Sequence, residues 1–318
     1  MVTFAGMAVN LCLGILYGWS VWKSKLLAPK GVDPGAPMTG LDVGWTYLTD
    51  SQATVAYAVC GLTFALFMIP GGWLQDKFGP RVGVTLGGLS LALGCILAGA
   101  MKSFEGLILG FGLLGGIGMG LGYAAATPAA VKWFNRQKRG LVVGLVVGGY
   151  GAAAIYISPL AKYLIGEYGI SGSFYGLGTL FALVVLVAGQ LLSTPPAGYT
   201  PPAAPEPPRP ANTGTGATAT AGGSTTAHDW TAGEMLRTWQ FFALVFMFFA
   251  SAQSGLLVIA NAALILNDTA KNDTAETVAF FAANGWLLAS YGGLVNAVGR
   301  VGTGLYSDRL GRRQAYLL

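Results

Sequence analysis

One arginine stands inside a long apolar run near the end of this sequence. Arg300 lies in the stretch from about 278 to 303, which otherwise carries no charge. It falls eight positions before Asp308, roughly 12 Å along a helix. A guanidinium at mid-membrane costs about 2.5–3.5 kcal/mol on insertion scales, so it turns towards a cavity or a partner. No Asp or Glu lies deep in any apolar run to neutralise it. An unpaired guanidinium is a site for an anion, because its planar fork binds a carboxylate through two parallel hydrogen bonds. Asn296 shares its helix face and can donate to the same carboxylate. The competing use of such an arginine is to snorkel to the interface or to cap carbonyls of a neighbouring helix.

A ten-residue phrase supplies a second set of charges. Gly72-Trp-Leu-Gln-Asp76-Lys77-Phe-Gly79-Pro-Arg81 recurs as Gly304-Leu-Tyr-Ser-Asp308-Arg309-Leu-Gly311-Arg312-Arg313. Glycine, acid, base, glycine and arginine fall at the same offsets. The glycines permit a tight turn. Asp76 and Asp308 can accept hydrogen bonds from a neighbouring helix N-terminus or pair with an arginine. Arg81 and Arg312 supply cations beside those acids.

The elements that carry these residues are membrane helices. Hydrophobic residues make up 53% of the 318, charged residues 10%, and mean hydropathy is +0.59. A chain so poor in charge cannot cover its surface with water-facing groups. Runs of about 20 apolar residues are long enough to cross roughly 30 Å of hydrocarbon. They fall at about 2–22, 50–74, 82–100, 106–131, 140–162, 174–193, 240–265 and 278–303. Lys and Arg concentrate in the loops that hold Lys77, Arg81, Lys132, Arg309, Arg312 and Arg313. This bias places the N-terminus and both copies of the phrase in the cytoplasm. The net charge of +5 is thereby used for orientation, not for nucleic acid.

Residues 194–237 differ in kind, with a proline cluster followed by an Ala/Gly/Thr tract. Such a composition forms no packed core and reads as a mobile cytoplasmic linker. It divides the chain into 1–193, with six spans, and 238–318, with spans seven, eight and the start of a ninth. The repeated phrase follows the second span of each part. A parallel repeat of two six-helix halves is expected, with about four spans of the second half missing.

Enzyme chemistry finds no footing. Cys12, Cys60 and Cys95 lie in apolar runs without metal-ligand spacing, and the sole histidine, His228, is in the linker. Gly110-Phe-Gly112-Leu-Leu-Gly115 matches a dinucleotide-binding pattern but lies inside a span with no preceding strand. Its glycines, with those up to Gly122, suit close helix packing. No cofactor or metal is expected.

The phrase Gly72–Arg81 resembles the loop between the second and third helices of major facilitator superfamily transporters, and Gly304–Arg313 its second-half counterpart. Within that superfamily, Tyr17-Gly-Trp-Ser-Val-Trp22, Gly120-Leu-Gly-Tyr123, Lys132-Trp-Phe134 and Asn296-Ala-Val-Gly-Arg300 resemble the oxalate/formate antiporter-like group and its bacterial monocarboxylate-transporter relatives. The resemblance implies an all-α polytopic fold of two six-helix halves and alternating access. It implies a gate at Asp76, Arg81, Asp308 and Arg312, and a substrate-binding arginine at Arg300. It places Tyr17, Trp22, Tyr123 and Tyr150 in cavity-lining spans, where a tyrosine offers an apolar body and a hydroxyl. It also implies an inner-membrane monomer that carries small carboxylates, with protons or by anion exchange. Two departures matter. Eukaryotic relatives place an aspartate where this chain has Asn296, so no carboxyl there carries a proton. Val21 stands where those relatives use a first-helix lysine, and Lys23 is two residues farther out.

Overall fold

Long apolar stretches without alternation become helices, because a helix satisfies its own backbone polar groups away from water. The computed structural model describes residues 1–29, 31–135, 137–196, 198–201, 231–269, 273–311 and 314. Among these no strand occurs, and two isolated bridges, Leu27 with Leu48 and Pro37 with Thr46, sit in one loop. The first four helices are α1 (Val2–Leu26), α2 (Asp50–Phe78), α3 (Pro80–Met101) and α4 (Phe104–Val131). Helical structure then runs over Arg139–Gln190, broken at Gly169 with φ 71° and ψ 179°. That break defines α5 (139–168) and α6 (170–190). Then come a short turn of helix at Ala232–Met235 and α7 at Trp239–Thr269. The last helix is in two pieces, α8a (Ala275–Asn284) and α8b (Trp286–Leu310), bent by 60°. Most of the expected linker, with His228, lies outside the described residues, as does Arg312.

Each of the eight expected spans has its helix. The repeated phrase corrects the expectation of a loop. Asp76, Lys77 and Phe78 are still helical, and the turn is one residue, Gly79, with φ 86° and ψ 168°. Gly311 repeats it with φ 86° and ψ 155°. Only glycine adopts this region without strain. Each of these N–H groups closes the helix behind it, Gly79 on the Gln75 carbonyl at 2.9 Å and Gly311 on Ser307 at 3.1 Å. Pro80 then starts α3, where its fixed φ suits a first helical turn.

The core lies along α1, whose Trp19 and Trp22 are fully buried. α1 and α5 run parallel, with Gly14 against Tyr150 and Ala153, and Gly18 against Ile157. α5 and α8b run antiparallel, with Gly140 against Gly304 and Asp308, and Gly151 against Asn296. On the outer faces Leu62, Leu66 and Ile69 of α2 and Phe242, Phe246 and Phe249 of α7 are exposed. Such faces suit hydrocarbon and not water.

The α1–α2 connection is folded onto the α5–α6 corner. Asp42, buried, accepts the Ile170 N–H at 2.7 Å and pairs with Lys25 at 3.4 Å. Trp45 Nε1 donates to Ser171 Oγ at 2.9 Å. Asp42 thus caps the start of α6, where a carboxylate meets unsatisfied N–H groups and the positive end of the helix dipole.

A candidate anion site around Arg300

Helix α8b brings Arg300 and Asn296 to one face, four residues apart. That face meets α5 at glycines. A Cβ at position 151 would collide with Asn296 Oδ1, and one at 144 would lie 2.7 Å from the Arg300 carbonyl. The absent side chains therefore let the polar face of α8b close on α5. Arg300 Nε donates to Asn296 Oδ1 at 2.6 Å. Its Nη2 donates to the Tyr17 hydroxyl at 3.1 Å. Tyr17 sits in a 3₁₀ turn, Gly14–Gly18, in the middle of α1.

Around this pair the aromatics form a box. The Tyr150 ring lies edge-on to Tyr17 at 5.3 Å and to Tyr123 at 5.2 Å. Phe64 of α2 packs on Tyr123 at 5.6 Å and on Tyr150 at 5.8 Å. The Tyr123 hydroxyl also faces the Arg300 guanidinium. Helices α1, α2, α4, α5 and α8b thus each contribute to one site. Edge-to-face rings supply a firm apolar wall.

All five residues singled out from the sequence meet here: Arg300, Asn296, Tyr17, Tyr123 and Tyr150. Their orientations differ from expectation in two cases. The Asn296 oxygen is taken by Arg300 Nε, so this side chain is not free. The Tyr150 hydroxyl donates to Met119 Sδ at 3.6 Å, so this residue offers its ring. Trp22 is a correction: it donates to Ser173 Oγ at 2.9 Å and stacks on Phe174 at 5.4 Å, inside the first group of helices. Phe64 carried no mark in the sequence, as a single aromatic in an apolar span gives no signal of its facing.

Both residues bonded to Arg300 are neutral, and among the described residues the ion pairs are Lys23–Asp50, Lys25–Asp42 and Lys132–Asp76. Among those residues no cluster of three or more metal-binding side chains occurs.

The charged phrase lies at one end of the bundle, and its copies find different partners. Asp308 accepts from the Gly140 N–H at 2.9 Å and the Leu141 N–H at 2.8 Å, at the start of α5. Asp76 is exposed and stands 3.8 Å from Lys132. Among the described residues it reaches neither a helix N-terminus nor an arginine, because its neighbour α4 ends at that point and offers carbonyls instead. Arg81 Nε donates to the Leu192 carbonyl at 2.9 Å, beyond the end of α6.

Gly79 and Gly311 thus end the second helix before and after the linker with the same backbone conformation. The family model described as Major Facilitator Superfamily matches residues 3–318. The chain belongs to the major facilitator superfamily. Among relatives, the oxalate:formate antiporter of Oxalobacter formigenes is 25% identical over 260 residues, 82% of this chain and 53% of the relative. The uncharacterised MFS-type transporter YhjX of Escherichia coli is 26% identical over 312 residues, 98% of this chain and 67% of its own. Monocarboxylate transporter 13 of Bos taurus is 34% identical over 136 residues, 42% of this chain and 32% of that one. The chain thus spans about half the length of the antiporter it matches. Six helical stretches among the described residues, or seven if the bent pair α8a–α8b is one span, are long and apolar enough to cross a membrane.

Proposed function

We propose that this chain carries the substrate site of an alternating-access carrier for small carboxylates. The observation that supports it is a guanidinium, held by two neutral oxygens and walled by tyrosines, where helices from both sides of the linker meet. The carboxylate would take the open edge of Arg300 and the Asn296 amide, with its short body against Tyr123 and Tyr150. The favoured substrate is a lactate- or pyruvate-like monocarboxylate, moved with a proton across the inner membrane by a monomer. Residues 1–193 form one half, 194–237 a cytoplasmic linker, and 238–318 the start of the other half. The N-terminus is cytoplasmic. Asp76, Arg81, Asp308 and Arg312 belong to the gate on that side. Anion exchange of the oxalate:formate kind is the second reading, supported by the relative that covers 82% of this chain.

The test is Arg300→Lys, which keeps the charge and removes the fork. Losing one charge-assisted hydrogen bond, about 1.5–3 kcal/mol, should weaken lactate binding by roughly 10- to 150-fold. Wild-type affinity in this variant removes the assignment. Counterflow in proteoliposomes, with labelled lactate against lactate, oxalate and formate, separates the two readings.

A further inference from the structure

Lys23 is a buried cation that the proposed site leaves unused. It lies on α1 six residues beyond Tyr17, about 9 Å farther along the axis. α1 runs parallel to α5, so Lys23 stands at the mouth opposite Asp308. Its side chain is 2% exposed. Its ammonium pairs with Asp50 at 2.8 Å and donates to Thr54 Oγ1 at 3.0 Å and Asn261 Oδ1 at 2.8 Å. An ammonium has three protons, and these three acceptors use them all.

The origin of the acceptors is what matters. Asp50 and Thr54 are on α2, beside α1 in the first group of helices. Asn261 is on α7, after the linker. Its amide donates to the Leu257 carbonyl at 3.0 Å, one turn back along α7, which fixes its oxygen towards Lys23. One layer closer to Arg300, the Tyr57 hydroxyl of α2 meets the Leu256 carbonyl of α7 at 3.5 Å. Two polar contacts therefore close the seam between α1–α2 and α7, stacked along the route from that mouth to the site.

We propose that Lys23–Asn261 is the latch of this mouth, the contact that breaks before an anion passes from that side to Arg300. If α7 moves away, the ammonium loses its third acceptor. A buried charge cannot tolerate an unmet proton, so water must enter as the contact breaks. Opening and hydration become one event, which favours two discrete states over a continuous range. Asp50 holds Lys23 in place throughout, because both belong to the group that stays together. The passage of an anion rests on the carrier reading, but the opening itself can be measured with no substrate present.

The test places spin labels on Ser24→Cys and Thr269→Cys in the full-length protein with Cys12, Cys60 and Cys95 replaced by serine, in lipid bilayers without substrate. Distances between the labels report the seam. Asn261→Leu removes the acceptor and should raise the longer-distance population by roughly three- to tenfold. Thr54→Val removes an acceptor on the same side of the seam and should leave the distribution unchanged. Asn261→Ser, too short to span the gap, should follow Asn261→Leu and serves if that variant does not fold. A wild-type distribution in the Asn261 variants, or an equal shift in Thr54→Val, overturns the latch. Absence of lactate transport would count against the carrier reading and leave these distances unaffected.

Discussion

Replacing Asn296 by aspartate puts a charge where Arg300 now holds a neutral oxygen. The side chains have the same shape, so the 2.6 Å contact to Nε survives. A hydrogen bond to a charged group is about 1–2 kcal/mol stronger than a neutral one, so the guanidinium is held harder. An anion sharing that guanidinium would lie about 5 Å from the new carboxylate and be repelled by about 3 kcal/mol at an effective dielectric of 20. Since the contact to Nε is kept, the repulsion is what weakens binding, by about 3 kcal/mol, roughly 150-fold, at neutral pH. The anion has one other route, which is to bind with the aspartate protonated. From an ordinary carboxylate value of about 4, that costs about 4 kcal/mol at pH 7, and about 1.4 kcal/mol less for each unit the pH falls. The sign follows. The bound state of the variant holds a proton that the free state lacks, so affinity rises as pH falls, by up to roughly tenfold per unit. The wild-type site has no such group at position 296. Equilibrium binding of labelled lactate between pH 5.5 and 8 tests this, and the aspartate variant should acquire a slope that the parent lacks. A variant that binds at wild-type affinity with no slope would refute the placement of substrate on this face of Arg300.

Two contrasts test the geometry further. Tyr17→Phe deletes the oxygen that accepts from Arg300 Nη2 and should change lactate affinity by roughly fivefold, one net hydrogen bond. Tyr150→Phe removes a hydroxyl that points to Met119 and should stay within about twofold, so equal effects in binding titrations would show the rings to be misassigned. Asp308→Asn loses a charged cap on two N–H groups and should destabilise the purified protein by about 1–2 kcal/mol. Asp76→Asn touches an exposed pair and should stay within about 0.5 kcal/mol, and thermal unfolding that ranks the two in reverse would undo the distinction drawn between the copies.

The helices, and the convergence of the named residues on Arg300, were legible because each left a mark on composition. A lone charge in an apolar run, with an amide four residues before it, must face something, and Arg300 does. The duplicated glycines marked their helix ends, although at Gly79 the turn proved to be a single residue and not a loop. What could not be read was facing and pairing. Phe64 and Tyr57 look like any aromatic in a span, and Trp22 looked like a cavity residue but packs on Phe174. The two aspartates of the phrase are equivalent in sequence and differ because a helix begins beside one and ends beside the other. Lys23 was the clearest failure. By position it belonged to the water outside α1, and only the convergence of α2 and α7 buries it.

The α5–α8b contact has a mechanical consequence. Glycines on α5 bring the two backbones together at Asp308, at Arg300 and at Asn296, and Asp308 pins one end of the contact to the start of α5. Such a contact works as a fulcrum, about which one helix can roll on the other without sliding. Points near the pivot barely move. A tilt of about 20° shifts a point about 12 Å along the helix by only about 4 Å. Placing the guanidinium on the pivot itself would let both mouths swing while the bound anion stays still.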